Sequence, residues 1–173
     1  MEFSLPEGIS ILERTPKVLE EMLLGLSENW THANEGVETW STFDVLGHLI
    51  HGERTDWIVR TKIILNEGDK YFEIFDRFAQ FKESKGKSLE ELLAEFKELR
   101  SSNLKELSSL NITEGDLNKT GIHPEFGEVT LKQLLSTWVT HDLGHIAQIS
   151  RVLAKQYKEE VGLWTKYISI LNK

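Results

Sequence analysis

Two histidines four residues apart, His141 and His145, are the residues of this sequence best suited to chemistry. They lie within Trp138–Gln148, a stretch of strong helical character, so both side chains project from one helix face, one turn apart. Imidazole nitrogen binds zinc, nickel, iron and copper, and two rings in this arrangement can reach a single ion. The spacing therefore predicts part of a metal site.

A third ligand is needed because two protein ligands hold a metal poorly, and His48 is the best candidate. It lies in Asp44–Ile50, a second stretch with helical character. A single histidine on an apolar helix face is usually a hydrogen-bonded core residue. Burying several imidazoles without partners costs on the order of 1–3 kcal/mol each, however, and a shared ion removes that cost. We therefore predict a metal site of His48, His141 and His145 between two helices.

Other polar residues near these histidines are candidates for supporting roles. Three lie one or two turns away, where a side chain can orient a ligand through its second nitrogen: Asp44, His51 and Gln148. Asp142 completes a His-Asp-x-x-His sequence close to the His-Glu-x-x-His of zinc proteases. Aspartate is shorter than the glutamate required there, so we interpret Asp142 as a helix-surface acid or one that supports a ligand. We expect His32 and His123 at the surface, with His123 a candidate for the border of a pocket.

Gly47 and Gly144 each precede a histidine in a Leu-Gly-His triplet. A glycine inside a helix costs up to about 1 kcal/mol relative to alanine, so its presence needs a reason. One interpretation is close backbone approach, or space kept beside the site. The other is relief of crowding against a large neighbour such as Trp138 or Trp57, and the sequence leaves both open.

Composition excludes several function classes. The 173 residues carry a net charge of −8, and the chain has a pI near 5.3, which argues against a nucleic-acid partner because phosphate binding needs a basic surface. The chain contains no cysteine, which excludes disulfides, thiolate metal sites and a cysteine nucleophile. The amino terminus lacks signal-peptide features and no stretch is long and apolar enough to span a membrane, so we expect a cytoplasmic protein.

Helical periodicity and capping signals predict an all-α, single-domain chain without strands, built from four main helices and a short extra one. The first predicted helix covers 6–28, with a kink or break at Thr15-Pro16. The second covers 41–65, about 25 residues. The others cover 88 to about 112, 130 to about 157, and 162–171. Capping boxes begin three of them: Ser41 with Asp44, Ser88 with Glu91, and Thr130 with Gln133. The segment 29–39 is predicted as a loop, and Arg100 is assigned to the solvated face of the third helix.

The segment 71–87 is the hardest to place, because it holds five aromatic residues within its first eleven positions and then turns polar. The simpler interpretation is a connection that plugs one end of the core. The alternative is a lid over a pocket or a surface for a partner, since exposed aromatic residues are enriched at interfaces.

The chain resembles the DinB superfamily of DNA-damage-inducible and YfiT-like proteins over nearly its whole length. The residues that carry the resemblance are Trp40-Ser41, Asp44–Leu49, Gly121-x-His123-Pro124, Gly127, Thr130-Leu131 and Trp138–Gln148. The resemblance implies a four-helix bundle with an unusual helix order, often a homodimer, and a divalent metal, commonly zinc or nickel, on the three histidines. It also implies hydrolase or thiol-dependent S-transferase activity, the latter with a low-molecular-weight thiol such as bacillithiol or mycothiol, while other relatives resemble maleylpyruvate isomerases.

Two functions are compatible with these features. In the first, the protein is a metal-dependent enzyme in which the ion activates water or a thiol toward a small-molecule substrate. In the second, it is a non-catalytic dimeric module whose metal stabilises the bundle, with Asp44 or His51 closing the coordination sphere. The open positions left by three histidines favour the enzyme, because closed coordination is typical of structural sites.

Overall fold

The computed structural model describes residues 1–172, and most of them are helical. The α-helices are α1 (Leu5–Leu12), α2 (Thr15–Leu23), α3 (Glu28–Thr31), α4 (Thr42–Thr55), α5 (Trp57–Leu65), α6 (Gln80–Glu83), α7 (Leu89–Ser109), α8 (Leu131–Lys155) and α9 (Lys158–Val161). The strands are β1 (Thr120–His123) and β2 (Gly127–Thr130), and 3-10 helices cover Asp116–Asn118, Gly162–Tyr167 and Ser169–Asn172. The long helices form the predicted bundle. Within residues 1–172, none of them combines the length and apolar character needed to cross a membrane.

The three predicted capping boxes are present where the sequence places them. In each, the side-chain hydroxyl of the first residue accepts a hydrogen bond from the backbone N–H three positions on, and the side chain at that position accepts one in return. The pairs are Ser41 with Asp44, Ser88 with Glu91 and Thr130 with Gln133. These caps fix where α4, α7 and α8 begin, and hence the height of the histidines along the bundle.

Two of the predicted helices are divided. The first becomes α1 and α2, with Pro16 in the first turn of α2, where a missing backbone N–H is tolerated. The predicted loop after it is partly wrong, because α3 begins at Glu28. The predicted helix over 41–65 is interrupted at Asp56, whose φ of −111° and ψ of −76° separate α4 from α5. No proline or glycine marks this break, so no local signal predicts it.

The prediction of no strands is wrong, because β1 and β2 form an antiparallel hairpin before α8. Strands of four residues are too short to show a reliable alternating pattern. The hairpin is also bonded to the chain after α5: the Phe72 N–H donates to the Ile122 carbonyl at 2.9 Å, and the Ile122 N–H donates to the Lys70 carbonyl at 2.8 Å. At the other end of the chain, the predicted last helix consists of two 3-10 helices with Leu171 buried.

The apolar core has two parts. One part joins α1, α5, the end of α7 and the start of α8, and contains Trp57 and Trp138. The other joins α2, α4, the start of α7 and the later half of α8, and contains Phe96. Arg100 on α7 contacts both, with its guanidinium carbon 4.9 Å from the Phe96 ring centre and 5.2 Å from a Trp138 ring. The prediction that Arg100 belongs to the solvated face is therefore wrong, since it is 1% exposed.

Candidate metal centre and adjoining cavity

The three predicted histidines lie together, with His48 on α4 and the other two on α8. The Nε2 atom of His141 is 3.2 Å from that of His48 and 3.1 Å from that of His145. Two nitrogen ligands at the usual zinc–nitrogen distance lie about 3.3 Å apart in a tetrahedral site. The spacing of these donors therefore fits a single divalent ion.

Burial keeps these imidazoles uncharged, as metal ligation requires. Desolvation lowers the pKa of His48 to about 3, with the charges of His145, His51 and Arg77 acting in the same direction. Desolvation likewise lowers the pKa of His141 to about 3, and that of His145 below its ordinary value. All three rings consequently offer a lone pair at neutral pH.

The second ring nitrogens are held differently. The Gln148 Oε1 atom lies 2.8 Å from the Nδ1 atom of His145, which assigns the proton to Nδ1 and the lone pair to Nε2. The Nδ1 atoms of His48 and His141 are buried and have no hydrogen-bond partner in the described chain. Aromatic packing orients these two rings instead: His48 lies 4.8 Å from Trp40, and His141 lies 5.1 Å from Trp57, between ring centres.

Two other candidates for the centre are engaged elsewhere. The Asp44 carboxylate accepts from the backbone N–H and hydroxyl of Ser41, at 2.9 and 2.6 Å, and so serves the cap of α4. The His51 Nδ1 atom lies 3.2 Å from the Glu83 carboxylate. Among residues 1–172, only the three histidines form a group able to hold a metal. The coordination sphere is therefore open on the protein side.

Asp142 is fully buried, which excludes the helix-surface interpretation. Its carboxylate accepts from both Nη atoms of Arg100, at 2.7 and 3.1 Å. Arg100 also donates to Glu53 at 2.7 Å, and Glu53 accepts from the Trp138 indole at 3.0 Å. This ion-pair network of Arg100, Glu53 and Asp142 links α7, α4 and α8, and it fixes the turn of α8 that carries His141.

The two glycines beside the ligands differ in their surroundings. A Cβ atom added at Gly47 would lie 2.4 Å from the Ser84 hydroxyl and 3.1 Å from the Gln80 Cβ, so this glycine permits close approach of α6 to α4. A Cβ at Gly144 would meet nothing within 4 Å. The close-approach interpretation is right for Gly47. At Gly144 neither close approach nor relief of crowding applies, because no neighbour lies near the added Cβ.

A cavity of about 740 Å³ opens beside the centre, and all three histidines contribute to its wall. Cavities of this size are typical of small-molecule sites. The wall is mostly aromatic and aliphatic, and its ionisable members outside the centre are Asp56, Arg60, Arg77, His123 and Glu125. His123 therefore borders the cavity, while His32 is exposed and stacks on Phe43 at 4.6 Å.

The aromatic segment 71–87 combines both predicted roles. Phe72 is buried in the core. Phe75 and Phe78 instead line the cavity, and the Phe75 ring lies 5.5 Å from His48. The segment thus closes one end of the core and also covers the three-histidine centre.

Sequence reasoning missed the charged residues around the centre. Arg100 occupies a position of the apolar stripe of α7, four residues after Phe96 and four before Leu104, and that spacing was a usable signal of burial. Glu53 had the same signal, four residues after Leu49 and four before Trp57. Asp56 and Arg60 have a weaker one, because their burial depends on how α5 packs after the break.

The comparisons with known proteins agree with this geometry. The family model described as the DinB superfamily matches residues 11–149. No curated protein sequence matches this chain. Two solved structures share the fold at low sequence identity.

One is YfiT from Bacillus subtilis, described as a probable metal-dependent hydrolase with an unusual four-helix bundle topology; it is 21% identical, with 90% of this chain and 93% of that chain covered and a TM-score of 0.75. The other, TT2238, is described as a four-helix bundle protein; it is 20% identical, with 85% of this chain and 98% of that chain covered and a TM-score of 0.57. At these identities the two structures establish the fold alone, whereas the family model covers most of the sequence. The chain belongs to the DinB superfamily.

Proposed function

We propose that this protein is a metal-dependent enzyme that acts on a small molecule, with one divalent ion held by His48, His141 and His145. The observation that carries the proposal is the convergence of three uncharged imidazoles at the wall of a cavity of about 740 Å³. A structural ion is normally enclosed by four protein ligands. Here three histidines line a cavity large enough for a substrate, and no fourth protein ligand from residues 1–172 joins them.

The protein residues around the centre have identifiable tasks. Gln148 fixes the tautomer of His145, and the Trp40 and Phe75 rings shield the imidazoles from bulk water. Bound there, zinc or nickel supplies the Lewis acidity that activates a water molecule or a thiol. Family membership and the likeness to a protein described as a probable hydrolase support hydrolysis, and S-transfer from a low-molecular-weight thiol is the second reaction that fits the same open site.

The non-catalytic alternative required Asp44 or His51 to close the coordination sphere. Both are bonded elsewhere, Asp44 to the cap of α4 and His51 to Glu83. These contacts support the enzyme over a purely structural metal. A single domain over residues 1–173, a homodimer and a cytoplasmic location stay predictions of the sequence.

Elemental analysis of purified, tag-free protein tests the metal site. We expect about one divalent ion per chain in the wild type and in His32→Ala, which alters an exposed histidine outside the three-histidine group and the cavity wall. We expect the ion to be lost in His48→Ala and His145→Ala. A wild type that remains without metal after reconstitution with zinc or nickel would contradict the proposal.

Activity assays then test catalysis. The metal-loaded wild type should hydrolyse p-nitrophenyl acetate, or transfer a small thiol to 1-chloro-2,4-dinitrobenzene, at a rate that chelation and His141→Ala both abolish. Metal-loaded protein without turnover in either assay would favour the structural role of the ion.

A further inference from the structure

The charged residues of the cavity wall are unequally paired. Arg60 is buried, and its Nε atom lies 2.6 Å from the Asp56 carboxylate, so these two charges neutralise each other. Arg77 also lines the cavity but forms no ion pair with any carboxylate of residues 1–172. Glu125 is the other acidic residue of the wall and lies exposed between β1 and β2. Arg77 is thus the one cation of the wall left without an ion-pair partner in the described chain.

The residues on either side of Arg77 place it at the metal end of the cavity. Phe75 lies 5.5 Å from His48 and 4.9 Å from His51, between ring centres. Phe78 stacks on Phe81 at 6.3 Å, and Phe81 in turn lies 6.5 Å from Trp40, which packs on His48. The segment that carries Arg77 therefore packs against the three-histidine centre. The Arg77 charge also contributes to the lowered pKa of His48, whereas the Glu125 charge acts on His123.

The rest of the wall offers an apolar surface. Trp57 and Phe72 form its inner side, both at most 6% exposed, and Leu134 continues it along α8. Phe126 stacks on His123 at 4.4 Å and is 74% exposed, so it forms part of the rim. A molecule that fills this space removes aromatic surface from water, which favours an aromatic or aliphatic body.

We propose that the cavity binds a small organic acid, with its apolar body against the Trp57–Phe72 wall and its acidic group paired with Arg77 beside the three-histidine centre. This inference rests on the proposed function, because it names the substrate class of the same site. An arginine without a carboxylate partner provides charge-assisted, bidentate hydrogen bonds to a carboxylate or phosphate. The pairing positions the acid so that a neighbouring bond of the substrate faces the imidazoles.

The test compares an acid with its isosteric amide, 2-naphthoxyacetate with 2-naphthoxyacetamide, by isothermal titration calorimetry at neutral pH. Hydrogen bonds to a charged group lead us to expect about tenfold tighter binding of the acid. The preference should disappear in Arg77→Gln, with amide binding unchanged. It should persist in Arg14→Gln, which removes the same charge from an exposed position that does not line the cavity.

The same titrations on metal-free protein separate this inference from the proposed function. If Arg77 binds the acidic group, the preference for acid over amide persists after chelation, and Phe126→Ala weakens the binding of both ligands to the same extent. A preference that vanishes with the metal, or that survives Arg77→Gln, would overturn the inference. A chain that binds no metal yet retains the Arg77-dependent preference would refute the proposed function and leave the organic-acid site standing.

Discussion

At the scale of single residues, the centre depends on which nitrogen of each imidazole carries the proton. His145 is the ligand whose second nitrogen has a protein partner, the Gln148 amide oxygen at 2.8 Å. That contact keeps Nε2 free of a proton and holds the ring in the orientation that faces His141. The Nδ1 atoms of His48 and His141 lack such a contact in the described chain, so their rings are held by packing alone.

Replacing Gln148 by leucine should weaken the binding of zinc about 10–100-fold, because residues that orient a ligand contribute to affinity on this scale. Competition with a chromogenic chelator at neutral pH measures the effect. Gln156→Leu is the matched control, since Gln156 follows the end of α8 and donates to the Val152 carbonyl. Equal zinc affinity in both variants would show that Gln148 has no role in ligation.

Asp56 makes stability depend on pH. Burial raises its pKa from 3.8 to about 6, although the facing charges of Arg60 and His51 oppose the increase. A carboxyl whose pKa is raised in the folded state stabilises the protein most at pH values below its unfolded pKa. That stabilisation is lost as the pH rises through about 6. The difference between the folded and unfolded pKa values corresponds to about 2–3 kcal/mol of unfolding free energy.

We therefore expect metal-free wild type to lose about 2–3 kcal/mol of unfolding free energy relative to Asp56→Asn between pH 4 and pH 7.5. Urea unfolding at several pH values in this interval provides the measurement. Asp69→Asn, at an exposed aspartate, should follow the wild-type curve within about 0.5 kcal/mol. Parallel curves for wild type and Asp56→Asn would mean that the Asp56 carboxyl is hydrated rather than buried.

At the scale of elements, three helix starts and the break at Thr15-Pro16 were predictable, whereas the interruption at Asp56 was not. The helix starts at Ser41, Ser88 and Thr130 could be predicted because a capping box involves residues within only four positions of one another. The break at Asp56 has no proline or glycine to mark it. The close contact at Gly47 depends on α6, which is distant from it in sequence. The centre was predictable because His141 and His145 share one helix and His48 lies on a second helix with similar apolar surroundings. The aromatic cavity beside it required the placement of a segment without periodicity.

The contact between α4 and α6 is tested by a pair of glycine variants. Gly47→Ala should destabilise the protein by about 1 kcal/mol or more, because the new methyl group overlaps the Ser84 hydroxyl and crowds Gln80. Gly144→Ala should instead stabilise it by up to about 1 kcal/mol, since alanine favours the helix and the added Cβ meets open space. Urea denaturation of both variants measures the change in unfolding free energy. A stabilising Gly47→Ala would contradict the packing of α6 on α4.

At the scale of the whole molecule, stability has sources independent of a metal. The two apolar clusters are joined by the buried network of Arg100, Glu53 and Asp142. Breaking such a network by removing one partner typically costs 3–5 kcal/mol, because a charge is left buried and unpaired. We therefore expect the helical bundle to stay folded when the three imidazoles bind no ion.

Chelation should accordingly lower the melting temperature without abolishing cooperative unfolding. An ion present at one hundred times its dissociation constant contributes about 2.7 kcal/mol, which corresponds to about 5–10 °C for a chain of this size. Circular dichroism melts with zinc and with EDTA measure the change, and His48→Ala should show no response to either. Loss of the cooperative transition in EDTA would instead assign the ion a structural role.

The bonds between the hairpin and Lys70–Phe72 have a kinetic consequence for the cavity entrance. They tie together two stretches about fifty residues apart in sequence, while residues 73–78 take no part in the strand pairing. This segment is attached more lightly, through the Glu73 carbonyl, which accepts from the Arg60 side chain at 3.3 Å, and the Phe78 carbonyl, which accepts from the Phe81 N–H at 3.2 Å. One side of the entrance is thus a fixed wall and the other, which carries Arg77, opens without breaking a ladder. Amide protons of Phe72 and Ile122 should exchange with deuterated solvent much more slowly than those of Ile74 and Arg77. Entry and exit of a ligand would then proceed by displacement of this one short segment, with the bundle unchanged.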